Sequence, residues 1–124
     1  MKLHILNGEV MMEYFKRTKF LDEEMVPFNE AMCYGETSET IFTEQFIQVR
    51  ANVHHVTTDQ YYQLTIKLLE KVLNNEYNEL YLWFDEDMFC QINVLTILAW
   101  LDQNNNSQSV ILNIVDHGVI LQER

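Results

Sequence analysis

Residues 80–91, Leu-Tyr-Leu-Trp-Phe-Asp-Glu-Asp-Met-Phe-Cys-Gln, decide the fold. The first five are apolar and rich in aromatics, which predicts a short strand covered on both faces of a sheet. From Met88 onward apolar residues recur at spacings of three and four, which predicts a largely buried helix. Asp85 or Asp87 stands where this helix needs an N-cap. We therefore expect a central strand that enters a helix through three consecutive carboxylates.

Size and composition favour one soluble domain. The chain has 124 residues, of which 48% are hydrophobic, enough for one compact core. It contains no long apolar run, and its first residues do not resemble a signal peptide, so we expect a cytoplasmic protein without a membrane segment. Cys33 and Cys90 lack a paired spacing and are expected to be free thiols. A net charge of −11 argues against nucleic acid as a partner.

Periodicity predicts the remaining elements. A capping box, Thr57 with Gln60, precedes the clearest helical pattern, which stops at Asn74. Pro27 predicts that the second strand lies at an edge of the sheet. The predicted strands are residues 3–6, 25–28, 80–84 and 110–115. The first two predicted helices run from Val10 to Lys19 and from Ser38 to Val53, the second with Thr37 or Ser38 as its cap. The other two run from Tyr61 to Leu73, with Leu64 and Leu68 on its buried stripe, and from Met88 to Leu101, with Phe89, Ile92, Leu95 and Ala99 on its first stripe.

This alternation predicts an α/β fold of three layers. We expect a mostly parallel four-stranded sheet in the order 2-1-3-4 with helices on both faces, forming a single Rossmann-like domain over residues 1–124. The long two-helix connection lets the chain cross from strand two to the far side of strand one. The gap between strands one and three is then a topological switch point, where ligands bind in open α/β sheets.

Three motifs in register resemble a known family. They are Leu-His-Ile-Leu-Asn-Gly at residues 3–8, Pro-Phe-Asn-Glu-Ala-Met-Cys-Tyr-Gly at 27–35 and Leu-Trp-Phe-Asp-Glu-Asp-Met-Phe-Cys-Gln at 82–91. Together they resemble the bacterial domain-of-unknown-function family 1835. The chain departs from that pattern at Glu9, where the family tends to have Asp, at Glu36, where it usually has Pro, and at Cys90, where an Asp commonly stands. The resemblance implies an N-terminal domain of a two-domain protein whose C-terminal domain lies outside this sequence, and it implies no particular activity.

Polar residues follow each predicted strand. In a parallel sheet these strand ends share one edge, and free amides of the helices that begin there can bind an anion. Asp116 and His117 follow the last strand in the same way. The residues that we expect to bind a ligand are Asn7, Gly8, Asn29, Glu30, Asp85, Asp87 and Gln91.

Other chemistries are less well supported by the sequence. A dinucleotide or P-loop site is disfavoured because its glycine pattern and its lysine are lacking. The acidic strand ends would suit Mg²⁺, although capping and solvated charge explain the same residues, and we assign no metal ligand. Cys33 activated by His4 or His117 would be a nucleophile, but a lone cysteine is usually a small buried hydrophobe. His54 and His55 are adjacent and project in different directions, so we expect surface or partly packed residues.

The sequence thus favours a small-ligand-binding or regulatory module over an enzyme. The alternative is a Mg²⁺-dependent hydrolase or transferase acting on a phosphorylated or nucleotide-like substrate. The sequence identifies neither a cofactor nor a catalytic residue, and it leaves a homodimer open.

Overall fold

Four parallel strands form the centre of the fold. The structure is a computed structural model, and it describes residues 1–106 and 108–115. The strands are β1 (Lys2–Leu6), β2 (Glu24–Pro27), β3 (Glu79–Asp85) and β4 (Ser109–Val115), in the order β2-β1-β3-β4. Every neighbouring pair is parallel. The predicted α/β class and strand order are confirmed, and Pro27 lies in the edge strand β2 as expected. Asp116 and His117, which we expected to follow the last strand at the same edge, lie outside the described residues.

The helices cover both faces of the sheet. They are α1 (Gly8–Thr18), α2 (Glu44–Val53), α3, a continuous helical segment over residues 58–73, and α4 (Met88–Gln103). Met12 and Phe15 of α1 pack with Leu6 on one face. The other face carries the larger core, in which α2, α3 and α4 pack on alternate residues of β1 and β3. The three predicted layers are therefore present. In the described part of the chain, no helix combines the length and the apolar character that crossing a membrane requires.

Helix α2 begins later than predicted. Its N-cap is Thr43, whose hydroxyl accepts a hydrogen bond from the amide of Phe46 at 3.3 Å, so capping by Thr37 or Ser38 is wrong. The Ser38 side chain instead bonds to Thr40 within a turn, a local arrangement that competes with helix formation.

Helix α3 buries only part of the apolar side that the sequence predicts. Its capping box of Thr57 and Gln60 is confirmed, but residues Tyr62–Ile66 form a π-helical turn. A π turn holds an extra residue and rotates the side chains that follow it. As a result Thr65 is buried, whereas Leu64 and Leu68, which we expected to be buried, are exposed; Ile66 and Val72 remain on the buried side.

Helix α4 also faces the core differently from the prediction. Phe89 and Leu95 are exposed, while Asn93 and Ile97 belong to the buried side. Since almost the whole helix is apolar, hydrophobic periodicity did not distinguish its two faces. Large apolar side chains are exposed on both α4 and β4; they are Met88, Phe89, Leu95, Leu98, Val110, Leu112 and Ile114.

Candidate functional site at the carboxyl edge of the sheet

The ends of β1, β2 and β3 meet at one edge of the sheet. The Asn7 amide donates to the carbonyl of Trp83 in β3 at 2.9 Å, and the Phe28 amide donates to the carbonyl of Leu6 at the end of β1 at 2.9 Å. These bonds continue the sheet one residue beyond each strand. They bring the chain segments that follow all three strands to the switch point between β1 and β3.

Asn7 joins the end of β1 to helix α4. Its side-chain amide donates to Cys90 Sγ at 2.9 Å, and its carbonyl oxygen accepts from the Asn93 side chain at 3.4 Å. Asn93 also donates to the Glu30 carbonyl at 2.8 Å and accepts from the Met32 amide at 2.9 Å. Asn93 is 4% exposed, so this buried amide fixes the loop after β2 against α4. The sequence offered one signal for Asn93, a polar residue inside an otherwise apolar helix.

Asn29 joins the loop after β2 to helices α1 and α3. Its side-chain amide donates to Glu9 Oε2 and to the carbonyl of Leu64, both at 3.3 Å. Its own carbonyl accepts from the hydroxyl of Thr65 at 3.0 Å. Asn29 thus uses both of its side-chain N–H groups within the protein.

Gly8 gives the edge its open shape. It adopts φ of +85°, a conformation that strains other residues, and a Cβ placed there would meet no heavy atom of the described residues within 4 Å. The backbone at the start of α1 is therefore open.

Glu30 is the centre of a buried hydrogen-bonded cluster. Its carboxylate, with a side chain 0% exposed, accepts from Arg50 Nε at 2.9 Å and Nη2 at 2.8 Å, and from the Tyr61 hydroxyl at 2.6 Å. The Ala31 amide and His54 Nε2 donate to it at 2.7 and 2.8 Å. Burial alone would raise the pKa of Glu30, but the hydrogen bonds, led by those from Arg50, lower it to about 2. Glu30 is therefore ionised and fully engaged inside the protein.

Arg50 holds the loop after β2 in place. It is fully buried, and besides its two bonds to Glu30 it donates to the carbonyls of Ala31, Tyr34 and Glu36 at 3.0, 2.7 and 2.7 Å. These five bonds use all five N–H groups of the guanidinium. Arg50 was not predicted as a site residue, and its role is to support the wall behind the site.

His54 is held in one tautomer by Glu30. A carboxylate can only accept, so the 2.8 Å contact requires a proton on Nε2 of His54. The ring stacks nearly parallel to Tyr61, with 6.2 Å between ring centroids. No hydrogen bond to Nδ1 comes from the residues that the structure describes, so this nitrogen remains able to meet a ligand. His54 is partly packed as expected, but its partnership with Glu30 was not predicted.

Asp87 is the N-cap of α4. Its Oδ1 accepts from the Cys90 amide at 2.9 Å and its Oδ2 accepts from the Cys90 thiol at 3.4 Å. Burial, followed by the hydrogen bond to Asp87, raises the pKa of Cys90 to about 11. Asp85, Asp87 and Cys90 place one possible ligand atom each within 4.8 Å of one another. The capping role explains this group.

The remaining predicted residues take structural positions. Gln91 donates to the carbonyl of Asp85 at 2.8 Å and so closes the turn between β3 and α4. Both nitrogens of His4 are engaged, Nε2 by Glu23 at 2.6 Å and Nδ1 by the indole N–H of Trp83 at 2.9 Å. His4 is therefore not free to activate the exposed Cys33.

A cavity of about 400 Å³ opens at the carboxyl ends of β1 and β2. We call it the edge cavity; it is lined by Glu9, Asn29, Glu30, His54, Val56, Tyr61, Leu64 and Thr65. Two predicted ligand-binding residues, Asn29 and Glu30, line it, whereas the other five are not among its lining residues; these are Asn7, Gly8, Asp85, Asp87 and Gln91. A larger cavity of about 760 Å³ is lined by residues such as Leu73 and Gln103, at the ends of α3 and α4. That cavity faces the amino ends of the strands, opposite to the edge where open α/β sheets bind ligands.

Comparison with protein-family models, with curated proteins and with solved structures finds no match for this chain. The resemblance to family 1835 therefore stays a prediction.

Proposed function

We propose that the chain is a small-ligand-binding module whose binding site is the edge cavity. The observation that carries this proposal is the position of a cavity of about 400 Å³ at the carboxyl edge of the sheet, where it is lined by residues that follow β1 and β2. Ligand sites commonly have volumes of about 300–1,000 Å³ and a mostly apolar lining with a few polar groups. Although several residues that line the edge cavity are polar, the surface exposed inside it is mainly apolar.

The walls of the edge cavity support the proposal because they are fixed before any ligand arrives. Arg50 and Glu30 satisfy one another inside the protein, and Tyr61 and His54 are positioned by the same carboxylate. A preformed wall lowers the ordering cost of binding. This cluster therefore supports the cavity, while the groups at its open side remain available to a ligand.

A regulatory role is the second part of this proposal. In it, a further domain, as the resemblance to family 1835 implies, responds to the occupied cavity. The exposed apolar residues of α4 and β4 offer a surface for such a domain or for a second copy of the chain.

A thermal-shift screen of small molecules against two matched variants tests the proposal. Leu64 lines the edge cavity and Leu68 does not, although both are exposed on α3. We expect Leu64→Trp to fill the cavity and abolish the ligand-induced shift, and Leu68→Trp to preserve it. Ligands whose shifts survive Leu64→Trp would contradict the proposed site. A shift that requires both Mg²⁺ and a nucleotide would instead favour the hydrolase or transferase alternative.

A further inference from the structure

We propose that the edge cavity binds an amine, a small ligand with a protonated amino group attached to an apolar body. This inference rests on the proposed function and names its ligand class. It follows from which hydrogen-bonding groups of the cavity wall are already engaged and which remain.

The side-chain hydrogen-bond donors that line the edge cavity already bind acceptors within the protein. Both side-chain N–H groups of Asn29 are used, on Glu9 and on the Leu64 carbonyl. The hydroxyl of Thr65 donates to the Asn29 carbonyl, and that of Tyr61 donates to Glu30. A ligand that needed donors from these side chains would have to break existing bonds.

The groups that remain are acceptors. The Glu9 carboxylate receives one bond from Asn29 and has further lone pairs, since a carboxylate accepts up to about four hydrogen bonds. His54 has a proton on Nε2, facing Glu30, and a ring that carries this single proton presents Nδ1 as an acceptor. A ligand that complements Glu9 and His54 must therefore donate hydrogen bonds.

The charge of the cavity points to a cation. Arg50 balances the charge of Glu30, whereas no basic side chain of the described residues forms an ion pair with Glu9. The cavity thus has one uncompensated negative charge, and the chain as a whole carries −11. Such a field attracts cations and repels anions.

Apolar groups complete the cavity and determine the rest of the ligand. Val56, Leu64 and the ring of Tyr61 line it together with the charged and polar residues. They favour an aromatic or branched aliphatic body over a strongly hydrated one. A small arylalkylamine has both features, an ammonium group for Glu9 and a ring for the apolar side.

An anion is the main competing ligand class because the first amides of α1 lie close by. The Asn7 side chain makes no cap hydrogen bond to α1, so no cap from Asn7 competes with an anion at those amides. However, Glu9 in the first turn of α1 already supplies a negative charge to this helix end. The acceptors of the cavity and the charge of Glu9 therefore favour the amine.

Isothermal titration calorimetry with four probes tests this inference. The probes are phenethylamine, 3-phenylpropanoate, 2-phenylethanol and inorganic phosphate. We expect phenethylamine to bind most tightly, and Glu9→Gln to weaken it tenfold or more, a loss of about 1.4 kcal/mol. Glu13→Gln is the matched control, because it removes the same charge from an exposed site of α1 outside the cavity lining, and it should leave the affinity unchanged.

Failure of the amine inference differs from failure of the proposed function. Tighter binding of 3-phenylpropanoate, 2-phenylethanol or phosphate, absence of phenethylamine binding, or an unchanged affinity in Glu9→Gln would overturn the amine. If a non-amine ligand binds and Leu64→Trp abolishes that binding, the edge cavity remains the site and only its ligand class is wrong. If no ligand of the wider screen is sensitive to Leu64→Trp, the proposed function itself fails.

Discussion

Glu30→Gln should cost the protein about 3–5 kcal/mol of unfolding free energy at pH 7. The substitution keeps the shape of the side chain but removes its charge, which leaves the guanidinium of Arg50 buried without a counter-charge. Both side chains are 0% exposed, and breaking one partner of such a buried pair has an effect of this size.

The pH dependence of stability gives a second magnitude for the contribution of Glu30 to the unfolding free energy. The pKa of Glu30 is about 2 in the folded protein, below the ordinary value of 4.5. A carboxyl group with a lowered pKa stabilises the fold above its unfolded pKa, and this stabilisation is lost as the pH falls from about 4.5 towards 2. It amounts to about 2–3 kcal/mol at neutral pH, after allowing for screening by water beside the partly exposed His54.

Urea denaturation at pH 7 and pH 3 measures both magnitudes. The difference between the native protein and Glu30→Gln should be large at pH 7 and should shrink at pH 3, because at pH 3 the unfolded chain binds a proton at Glu30 that the folded protein does not yet bind. Glu36→Gln, an exposed acid in the same loop, is the control and should change stability by less than about 0.5 kcal/mol at both pH values. A loss below about 1 kcal/mol at pH 7, or an equal loss at both pH values, would refute the role assigned to Glu30.

Three further substitutions test other parts of the structure. Tyr61→Phe removes the hydroxyl that donates to Glu30 at 2.6 Å and should lower the unfolding free energy by about 1.5–3 kcal/mol in urea titrations, whereas no loss would contradict that bond. Gly35→Ala should lower the melting temperature more than Gly8→Ala, because both glycines have positive φ but only at Gly35 would the new Cβ lie 2.5 Å from Val53 Cγ1; equal losses would contradict the packing at Gly35. Asp87→Ala should cost about 1 kcal/mol by chemical denaturation and Asp87→Asn much less, since asparagine also caps helices, and a full loss in Asp87→Asn would contradict the capping role.

The sheet was predictable from the sequence because its signals are local. The apolar pattern of residues 80–84 predicts a buried strand without any knowledge of its neighbours in the fold, and Pro27 restricts its strand to an edge. With two helices between strands two and three, right-handed crossover leaves few topologies to choose from. The strand order therefore followed from patterns that lie within single segments.

The helix registers were less predictable because they depend on tertiary contacts. The π-helical turn over residues Tyr62–Ile66 has no sequence signature that we recognise, and it exchanges Leu64 for Thr65 on the buried side. In α4, apolar residues occur all around the helix, so its sequence was compatible with burying Phe89 or Asn93.

The sequence predicted that polar residues meet at the carboxyl edge of the sheet, but it did not predict which residues bind one another there. Parallel strands bring Asn7, Asn29 and Asp85 to one edge by topology alone. In contrast, Arg50 and His54 meet Glu30 from 20 and 24 residues away, across a loop whose path no periodicity reveals. This is why the sequence suggested Glu30 as a ligand contact, whereas the structure uses it to support the wall of the edge cavity.

The most direct test of the central claim is a map of the ligand-binding residues by two-dimensional ¹H–¹⁵N NMR. Backbone amides of the ¹⁵N-labelled protein would be followed during titration with phenethylamine. The account predicts that the largest shifts occur at Glu9, Asn29, His54 and residues 64–65, around the edge cavity. Shifts confined to the larger cavity near Leu73 and Gln103, with those amides unchanged, would contradict it.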